Sequence, residues 1–470
     1  MTKTLLPTLL AASLTLAGCT TMAPAYERPA APVAAQWDAP ADGAQAADLG
    51  WRDFFIDAKL RTLIEQALRH NRDLRVALLN VERAQAQYGV QRADRLPSVN
   101  AGAGQSAQRL PGGLTASGEP AISRQYSATL GVSAYELDLF GRVRSLTDAA
   151  LASYLASNDA RRSAQISLVA EVAGSYLTLA ADQERLRLAT QTLKAREDGQ
   201  RLTGRLQQAG VASALDLRQA GIATESARAD QAALSTQVAQ DRHALELLIG
   251  QPLSTELLPE AGTDAPITLS AELAAGLPSS VLLARPDVQQ AERALQAANA
   301  NIGAARAAFF PRITLTGSAG SASAELGELF RAGTGFWSFV PQVTLPIFDA
   351  GLNRANLKIA EVDRDIAVAK YEGAIQTGFR EVADALAARA TAGDQVAAQQ
   401  RLVAQSEDAL RLAEARFQQG VDDRLATLDA QRSLYGAQQG LIAARLAQQV
   451  NRVTLYKALG GGQSDGQSAP

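Results

Sequence analysis

The sequence is poor in the residues that enzymes and metal proteins use most. Its 470 residues include one cysteine and two histidines, so a disulfide within the chain is impossible and few metal ligands remain. Aromatic residues make up only 5 %, and the net charge of −3 lacks the positive excess typical of nucleic-acid binding. We find no nucleophile–base motif, metal-ligand spacing or phosphate-binding loop. We therefore expect no enzyme, no cofactor and no nucleic-acid partner.

Proline is missing from two long runs, residues 121–251 and 347–469. Both runs are rich in alanine, leucine, glutamine, arginine and glutamate, which favour helices, whereas proline disrupts helix interiors. Short segments with the alternation of strands precede each run. The chain is thus predicted to be built twice, as strands followed by very long helices. Such a plan suits a duct better than a catalyst.

The N-terminus has the pattern of an export signal. Lys3 precedes an apolar stretch from Leu5 to Leu16, which is too short to span a bilayer. Leu16-Ala17-Gly18-Cys19 then resembles the cleavage motif of bacterial lipoproteins, in which the cysteine thiol carries the lipid. Thr20 follows instead of aspartate, which in such lipoproteins implies the outer membrane. An ordinary secretory signal is the alternative, and we expect no later transmembrane helix.

The two halves of the chain can be aligned as a repeat. Asp73–Pro97 matches Asp287–Pro311 at an offset of 214, with eight identities in 25 positions. Arg201–Val211 matches Arg411–Val421 at an offset of 210, with five identities in 11 positions. A glycine coincides in each alignment and a proline in the first, which supports an internal duplication.

Four segments alternate between apolar residues and small or polar ones with a period of two, as membrane-facing strands do. They lie at residues 99–104, 125–134, 312–319 and 337–345. A soluble sheet, half buried against the helices, is the alternative. Pro341 falls inside the fourth segment and cannot donate to a ladder, so we expect a bulge there.

Four strands cannot close a barrel with a lumen, because even filled small barrels need about eight. Lipid tolerates no open sheet edge, so strands from several protomers would have to share one barrel. Three protomers would supply twelve strands, enough for an open pore. The strand count therefore predicts a homotrimer, provided that the strands span a membrane.

Each proline-free run is predicted to form a helical hairpin. The first helices would run from about Arg142 to Gln208 and from about Asn353 to Gln418, each roughly 100 Å long at 1.5 Å per residue. The returning helices would end at Gly250 and Gly460. One hairpin cannot bury its apolar stripes alone, whereas hairpins of three protomers closing into a cylinder would do so.

The turns of these hairpins carry capping residues. We expect Gly210 and Gly420 to end the first helices as C-cap glycines. Ser213 and Asp422 are the predicted N-caps of the returning helices. In a threefold cylinder both turns would lie at the end farthest from the membrane.

Four residues near the second turn are candidates for a gate: Phe417, Leu425, Asp429 and Arg432. Asp429 and Arg432 are three residues apart on one helix, so they share a face and can pair. In a threefold assembly each would form a ring. The alternatives are an ordinary solvated ion pair, which contributes little to stability, and a packed apolar role for Phe417.

Several motifs identify a family. They are Leu277-Pro278-Ser279-Ser280 with Arg285-Pro286-Asp287-Val288, Leu137-Asp138-Leu139-Phe140-Gly141-Arg142, Phe310-Pro311, Pro346-Ile347-Phe348-Asp349-Ala350-Gly351, and Gly420-Val421-Asp422 through Leu428-Asp429-Ala430-Gln431-Arg432. With them, roughly Trp51 to Gly460 resembles the TolC-like outer-membrane factor family, specifically the OprM/NodT-type lipoproteins of tripartite efflux systems.

The resemblance implies an α+β membrane protein in which four strands per protomer contribute to a trimeric 12-strand outer-membrane β-barrel. The barrel would continue into a long periplasmic α-helical barrel with a mixed equatorial domain. The implied partners are outer-membrane lipid, a periplasmic adaptor protein and an inner-membrane pump of the resistance-nodulation-division type.

The resemblance also implies a periplasmic gate at Leu425, Asp429 and Arg432. Phe417 stands where the family often has tyrosine, which removes a hydroxyl from the gate. Some members carry a second acid three residues before the gate aspartate, but Ala426 stands there. A cation-binding ring of two carboxylates per protomer is therefore not expected.

The leading hypothesis is an efflux exit duct, lipid-anchored in the outer membrane through Cys19. A poreless, lipid-anchored periplasmic spacer is the alternative. The predicted segments are 1–18 (signal peptide), 19–50 (linker), 51–97 (equatorial and barrel helices), 98–140 (first β-hairpin), 141–250 (first helical hairpin), 251–285 (equatorial linker), 286–310 (second-repeat helix), 311–348 (second β-hairpin), 349–460 (second helical hairpin) and 461–470 (disordered tail).

Overall fold

The computed structural model describes residues 21–37, 49–116, 118–259 and 279–461. Cys19, nearly all of the predicted tail and the middle of the predicted equatorial linker lie outside the described residues. The helices are α1 (Trp51–Phe54), α2 (Ala58–His70), α3 (Arg72–Ala93), α4 (Arg142–Gln208), α5 (Ala214–Ile249), α6 (Pro286–Ala307), α7 (Leu352–Gln418) and α8 (Arg424–Ala458). The strands are β1 (Val99–Leu110), β2 (Ala121–Leu137), β3 (Arg312–Ser323) and β4 (Gly335–Thr344).

The described residues fall into two compact units. The first contains the described residues up to Ala30, together with Asn80–Asn158 and Gln290–Glu372. The second contains those of Ala31–Leu79, Asp159–Gln289 and Gly373–Pro470. The whole sheet belongs to the first unit, and both turns between the long helices belong to the second.

Within the described chain, the four strands form one antiparallel sheet in the order β1-β2-β3-β4. Its register separates two faces, because successive side chains alternate along a strand. One cross-strand row runs Ala101, Leu130, Ala319, Trp337, and the next row on the other face runs Asn100, Gly131, Ser318, Ser338. The first face is apolar and exposed, with Leu130 at 57 % and Trp337 at 78 %. The period-two prediction is therefore confirmed for all four strands.

The predicted bulge at Pro341 is wrong. Pro341 pairs in register with Leu315, because β4 is an edge strand of this sheet and an edge tolerates a missing donor. The irregularity lies in β2, where the register shifts between Val132 and Tyr135. Ala134 has φ of +52° there, and its N–H donates to the Thr316 hydroxyl at 3.1 Å instead of to the ladder.

The long helices match their predicted limits to within a residue or two. Helices α4 and α7 each have 67 residues, and α7 begins at Leu352, one residue before the expected Asn353. An 18-residue window of α4 has mean hydropathy 1.2 and meets the length and composition of a membrane span, contrary to expectation. Since 44 % of that window is buried and core helices meet the same criterion, we assign it to packing.

An aromatic cluster forms part of the core of the second unit. The rings of Phe54 and Tyr456 stack with centroids 4.0 Å apart, and Phe55 meets Phe54 edge-on at 4.9 Å. The Tyr456 hydroxyl donates to the Leu49 carbonyl at 2.7 Å. These contacts attach α1 to the last turn of α8, and aromatic pairs of this kind stabilise beyond their buried area.

The Arg285-Pro286-Asp287 motif has a structural role in the same unit. The buried Arg285 guanidinium donates to the Asp287 and Glu381 carboxylates at 2.7 and 2.8 Å and to the Ala458 carbonyl at 2.7 Å. Burial alone would lower the pKa of Arg285, but the hydrogen bonds to the two carboxylates raise it. A Cβ at Gly378 would lie 3.3 Å from this guanidinium, so α7 passes close to it.

Candidate functional site at the helix turns

Two turns connect the long helices to the returning ones: the first turn (residues 209–213) and the second turn (residues 419–423). Gly210 and Gly420 have φ of +75° and +71°, which only glycine adopts without strain. In each turn the N–H of the following valine donates to the carbonyl five residues earlier. These bonds are Val211 to Leu206 at 2.8 Å and Val421 to Arg416 at 2.9 Å. Both predicted glycine C-caps are thus Schellman motifs.

The first turn is completed by a capping box. The Ser213 hydroxyl accepts from the Asp216 N–H at 3.1 Å, and the Asp216 carboxylate accepts from the Ser213 N–H at 2.8 Å. Two otherwise unsatisfied N–H groups at the start of α5 are therefore paired. Hydrogen bonds from the Ser213 hydroxyl and backbone hold the pKa of Asp216 below its ordinary value. The structure confirms Ser213 as the N-cap.

The second turn uses a different residue from the one predicted. Asp423, not Asp422, is the N-cap of α8, and its carboxylate accepts from the Ala426 N–H at 3.2 Å. Asp422 instead accepts two hydrogen bonds from Arg416, at 2.6 and 2.7 Å. This arginine holds the pKa of Asp422 below its ordinary value. The repeat offset of 210 already relates Ser213 to position 423, so the alignment carried the correct signal.

Phe417 lies half-buried in the last turn of α7. The Arg424 guanidinium sits 5.2 Å from the centroid of its ring, within cation–π range. A Cβ at Gly199 would lie 2.8 Å from an Arg424 nitrogen, so α4 also approaches this arginine closely. Phe417 is therefore packed against a cation within the protomer, and sequence reasoning missed the contribution of Arg424.

Leu425, Asp429 and Arg432 lie on the first turns of α8. Leu425 is 47 % exposed, which is more than expected for a core leucine. Arg432 donates to the Asp429 carboxylate at 2.7 Å, and their side chains are 80 % and 53 % exposed. The predicted pair therefore forms, on a face that the protomer leaves open to solvent. A pair so exposed contributes little to the stability of the protomer itself.

Arginines from two helices converge beside this pair. Arg196 of α4 donates to the Gln431 side chain at 2.7 Å. Burial, with the charges of Arg424 and Arg432 next, lowers the pKa of Arg196. The Arg424 Nε and the Thr427 hydroxyl are buried and have no hydrogen-bond partner among the described residues. The side chains beside the second turn are therefore mainly cationic, and two of their buried polar atoms lack a hydrogen-bond partner among the described residues.

The described residues at the turns lack the ligand set of a metal centre. Among the described residues, no group of three or more histidine, cysteine, aspartate or glutamate side chains is placed to hold a metal ion. Alanine occupies position 426, so Asp429 has no acid three residues before it. What the turns provide is exposed charge, exposed apolar surface and rigid backbone.

Comparison with known proteins identifies the family. The sequence profile described as outer membrane efflux protein matches residues 63–251 and 277–461, one match in each repeat. The toluene efflux pump outer membrane protein TtgC of Pseudomonas putida is 52 % identical over 469 residues, covering 98 % of this chain and 96 % of that protein. The outer membrane protein OprJ of Pseudomonas aeruginosa is 49 % identical over 459 residues, covering 97 % and 95 %.

Solved structures agree with the fold. The crystal structure of a membrane protein from Pseudomonas aeruginosa matches with a TM-score of 0.90 and 48 % identity, covering 96 % of this chain and 99 % of that one. The open state of the MtrE outer membrane channel of Neisseria gonorrhoeae matches with a TM-score of 0.84 and 42 % identity, covering 94 % and 99 %. These matches confirm the predicted α+β fold of an outer-membrane efflux channel, with a four-stranded sheet and long helices in each protomer. A member of this family is a transport protein and not an enzyme. This chain belongs to the outer membrane efflux protein family.

Proposed function

We propose that the protein is the exit duct of a tripartite efflux system. It would conduct drugs or other small molecules passively across the outer membrane. The observation that carries this proposal is the sheet, which has an exposed apolar face, a face of small and polar residues, and two edges without a partner in the described chain. A sheet of this kind is stable in lipid only if its edges are paired.

Homotrimerisation follows from the same observation. When β4 of one protomer pairs with β1 of the next, three protomers close a barrel of twelve strands. The apolar face, which carries Leu130 and Trp337, then meets lipid, and the face of Ser318 and Ser338 lines the lumen. The long helical hairpins would close in the same way into a periplasmic helical barrel with an equatorial domain.

We infer that Cys19 carries a lipid that anchors the protein to the outer membrane. The support is the lipoprotein-like signal that precedes it. At the other end the helical barrel would dock onto a periplasmic adaptor protein. That adaptor would serve an inner-membrane pump of the resistance-nodulation-division type, which supplies the free energy and selects the substrate. The TtgC relative is named for the efflux of toluene, so organic solvents are candidate cargo.

We infer that the gate of the duct lies at the second turn. Leu425, Asp429 and Arg432 are exposed in the protomer and become rings in a trimer. Phe417 would stabilise the gate through its cation–π contact with Arg424. The gate would be closed at rest by apolar packing and ion pairs, and opened by the adaptor.

Native mass spectrometry and planar-bilayer recording test the duct directly. The detergent-solubilised protein is expected to have the mass of a trimer and to give discrete conductance steps in a bilayer. A monomer with its sheet folded against its own helices, or a trimer that conducts no ions under any voltage, would contradict the proposal.

Extraction of the protein from membranes distinguishes a duct from the alternative, a poreless spacer. Family membership already disfavours the spacer. The test protein carries Cys19→Ser behind an ordinary signal peptide. A duct with strands in the membrane still needs detergent for release, whereas a spacer that only the lipid would hold becomes soluble without detergent.

A further inference from the structure

The first described residues are held along α6. Arg28 donates two hydrogen bonds to the Glu292 carboxylate, at 2.8 and 3.1 Å, and the Tyr26 hydroxyl donates to the same carboxylate at 3.0 Å. Burial, with the Glu292 charge next, raises the pKa of Tyr26 to about 12, so the phenol remains a donor. The Asn299 side chain donates to the Pro24 carbonyl at 2.8 Å. The segment therefore has a defined path.

The path is also defined at its beginning. The Thr21 hydroxyl lies 2.7 Å from the Ser145 hydroxyl, in the first turn of α4. A Cβ at Gly303 of α6 would lie 2.6 Å from the Ala23 nitrogen and 2.6 Å from the Ser145 hydroxyl oxygen. Real Cβ atoms do not approach so closely, so glycine at 303 is what lets the segment pass between these helices.

This contact lies where the helices meet the strands. Helix α4 begins at Arg142, shortly after β2 ends at Leu137, and α6 ends at Ala307, shortly before β3 begins at Arg312. Thr21 is therefore fixed beside the strand ends. In the proposed duct these ends mark the periplasmic surface of the outer membrane.

An open cleft of about 440 Å³ lies at the same place, lined by Met22, Arg306, Phe309 and Phe310. Both phenylalanines are 42 % exposed, although they follow a helix and precede a strand in a tight turn. Phe310 is held by stacking on Phe140, with ring centroids 4.9 Å apart. Arg306 donates to the Met22 carbonyl at 3.4 Å and places a cation at the rim. We name this feature the acyl cleft.

We propose that the acyl cleft holds an acyl chain of the lipid carried by Cys19. Cys19 precedes Thr21 by two residues, and two extended residues span at most about 7 Å. The lipid must therefore leave the chain close to Met22. The start of the hydrocarbon chain would be covered by the apolar side chains of Met22, Phe309 and Phe310. The Arg306 guanidinium would donate hydrogen bonds to the ester oxygens of the glyceryl group. The proposal rests on the proposed lipidation of Cys19.

Photo-crosslinking in the full-length protein tests this assignment. Phe309 is replaced by p-benzoylphenylalanine in cells fed an alkynyl fatty acid, and the purified trimer is irradiated. Phe330, which is 80 % exposed in the β3–β4 connection, is the matched control position. The same probe at position 310 tests a second residue of the cleft lining that is likewise far from Cys19 in sequence. Mass spectrometry then identifies the partner of each crosslink and the modification on Cys19.

We expect probes at 309 and 310 to crosslink to the lipopeptide that contains Cys19, at least tenfold more than the probe at 330. Crosslinks from 309 to free phospholipid alone, or none to lipid in an acylated trimer, would overturn the cleft assignment and leave the duct proposal intact. An unmodified Cys19 would overturn the lipidation on which the assignment depends.

Discussion

The first and second turns have the same backbone but are held by different side chains. Each has a left-handed glycine followed by valine, with the same pair of Schellman hydrogen bonds. The first turn is completed by the capping box of Ser213 and Asp216, a strictly local arrangement. The second has a single N-cap, Asp423, and an ion pair between Arg416 and Asp422 that connects the end of α7 to the turn.

The repeat makes this difference informative. At the offset of 210, Leu206 and Ala212 occupy the positions of Arg416 and Asp422. Gln219 and Ile222 likewise occupy the positions of Asp429 and Arg432. The two turns therefore place glycine at the same point for the same geometric reason, while the second alone carries these charged pairs. This difference supports the proposal that the gate lies at the second turn.

The largest effect is expected from removing the proposed gate pair. Asp429→Ala with Arg432→Ala should raise the open probability of the duct in planar-bilayer recordings roughly tenfold, since exposed pairs contribute about 0.2–1 kcal/mol each and a trimer has three. The matched control is Asp198→Ala with Arg201→Ala, an exposed aspartate–arginine pair with the same spacing of three residues on α4 of the first hairpin. Equal increases in both double variants, or in neither, would remove the distinction between the turns.

The second prediction concerns what the turns share. Gly210→Ala and Gly420→Ala should each destabilise their turn by about 1–2 kcal/mol, because a Cβ disfavours the left-handed backbone. Apart from the adjacent residues, no heavy atom of the described chain lies within 4 Å of a Cβ at either position, so the cost is conformational and not steric. Amide hydrogen exchange at the helix ends should accelerate equally in the two variants. A much larger change at one turn would indicate that its glycine serves another purpose.

The third prediction separates the true N-cap from the residue beside it. Asp423→Ala should cost about 1 kcal/mol at the start of α8, as Ser213→Ala should at the start of α5. Asp422→Ala should leave exchange of the first α8 amides nearly unchanged, since Asp422 bonds to Arg416 and not to the backbone of α8. Faster exchange in the Asp422 variant than in the Asp423 variant would reverse the assignment of the cap.

The smallest effects are expected from acid and salt. Asp216 and Asp422 both have a lowered pKa in the folded protein, so their stabilisation is present above the ordinary carboxyl pKa of 3.8 and is lost as the pH falls below it. Exchange protection of both turns should therefore be level from neutral pH to about 5 and then decline.

Salt should distinguish the two turns at neutral pH. The Arg416–Asp422 pair is screened by 1 M salt, whereas the hydrogen bonds of the capping box are not. Protection of the second turn should fall slightly but measurably, while protection of the first remains constant. Equal sensitivity at both turns would contradict this assignment.

Most of the fold was predictable from local patterns in the chain. Proline-free runs, alternation and glycine positions predicted both hairpins and all four strands, and family membership confirmed the function that the plan suggested. The error at Asp422 arose because two adjacent aspartates can each cap a helix. Which of them caps α8 depends on Arg416, which lies across the turn and pairs with Asp422.

The sequence by itself determined the helices, the strands and the need for partner strands, because propensity and side-chain period act between residues close along the chain. Only the tertiary structure decided the bulge opposite Thr316, the contact of Arg424 with Phe417 and the route of Thr21 past Gly303. The bulge and the route of Thr21 join segments far apart in sequence, and the contact of Arg424 with Phe417 joins two helices across a turn. All of these distances exist only once the helices and strands have packed.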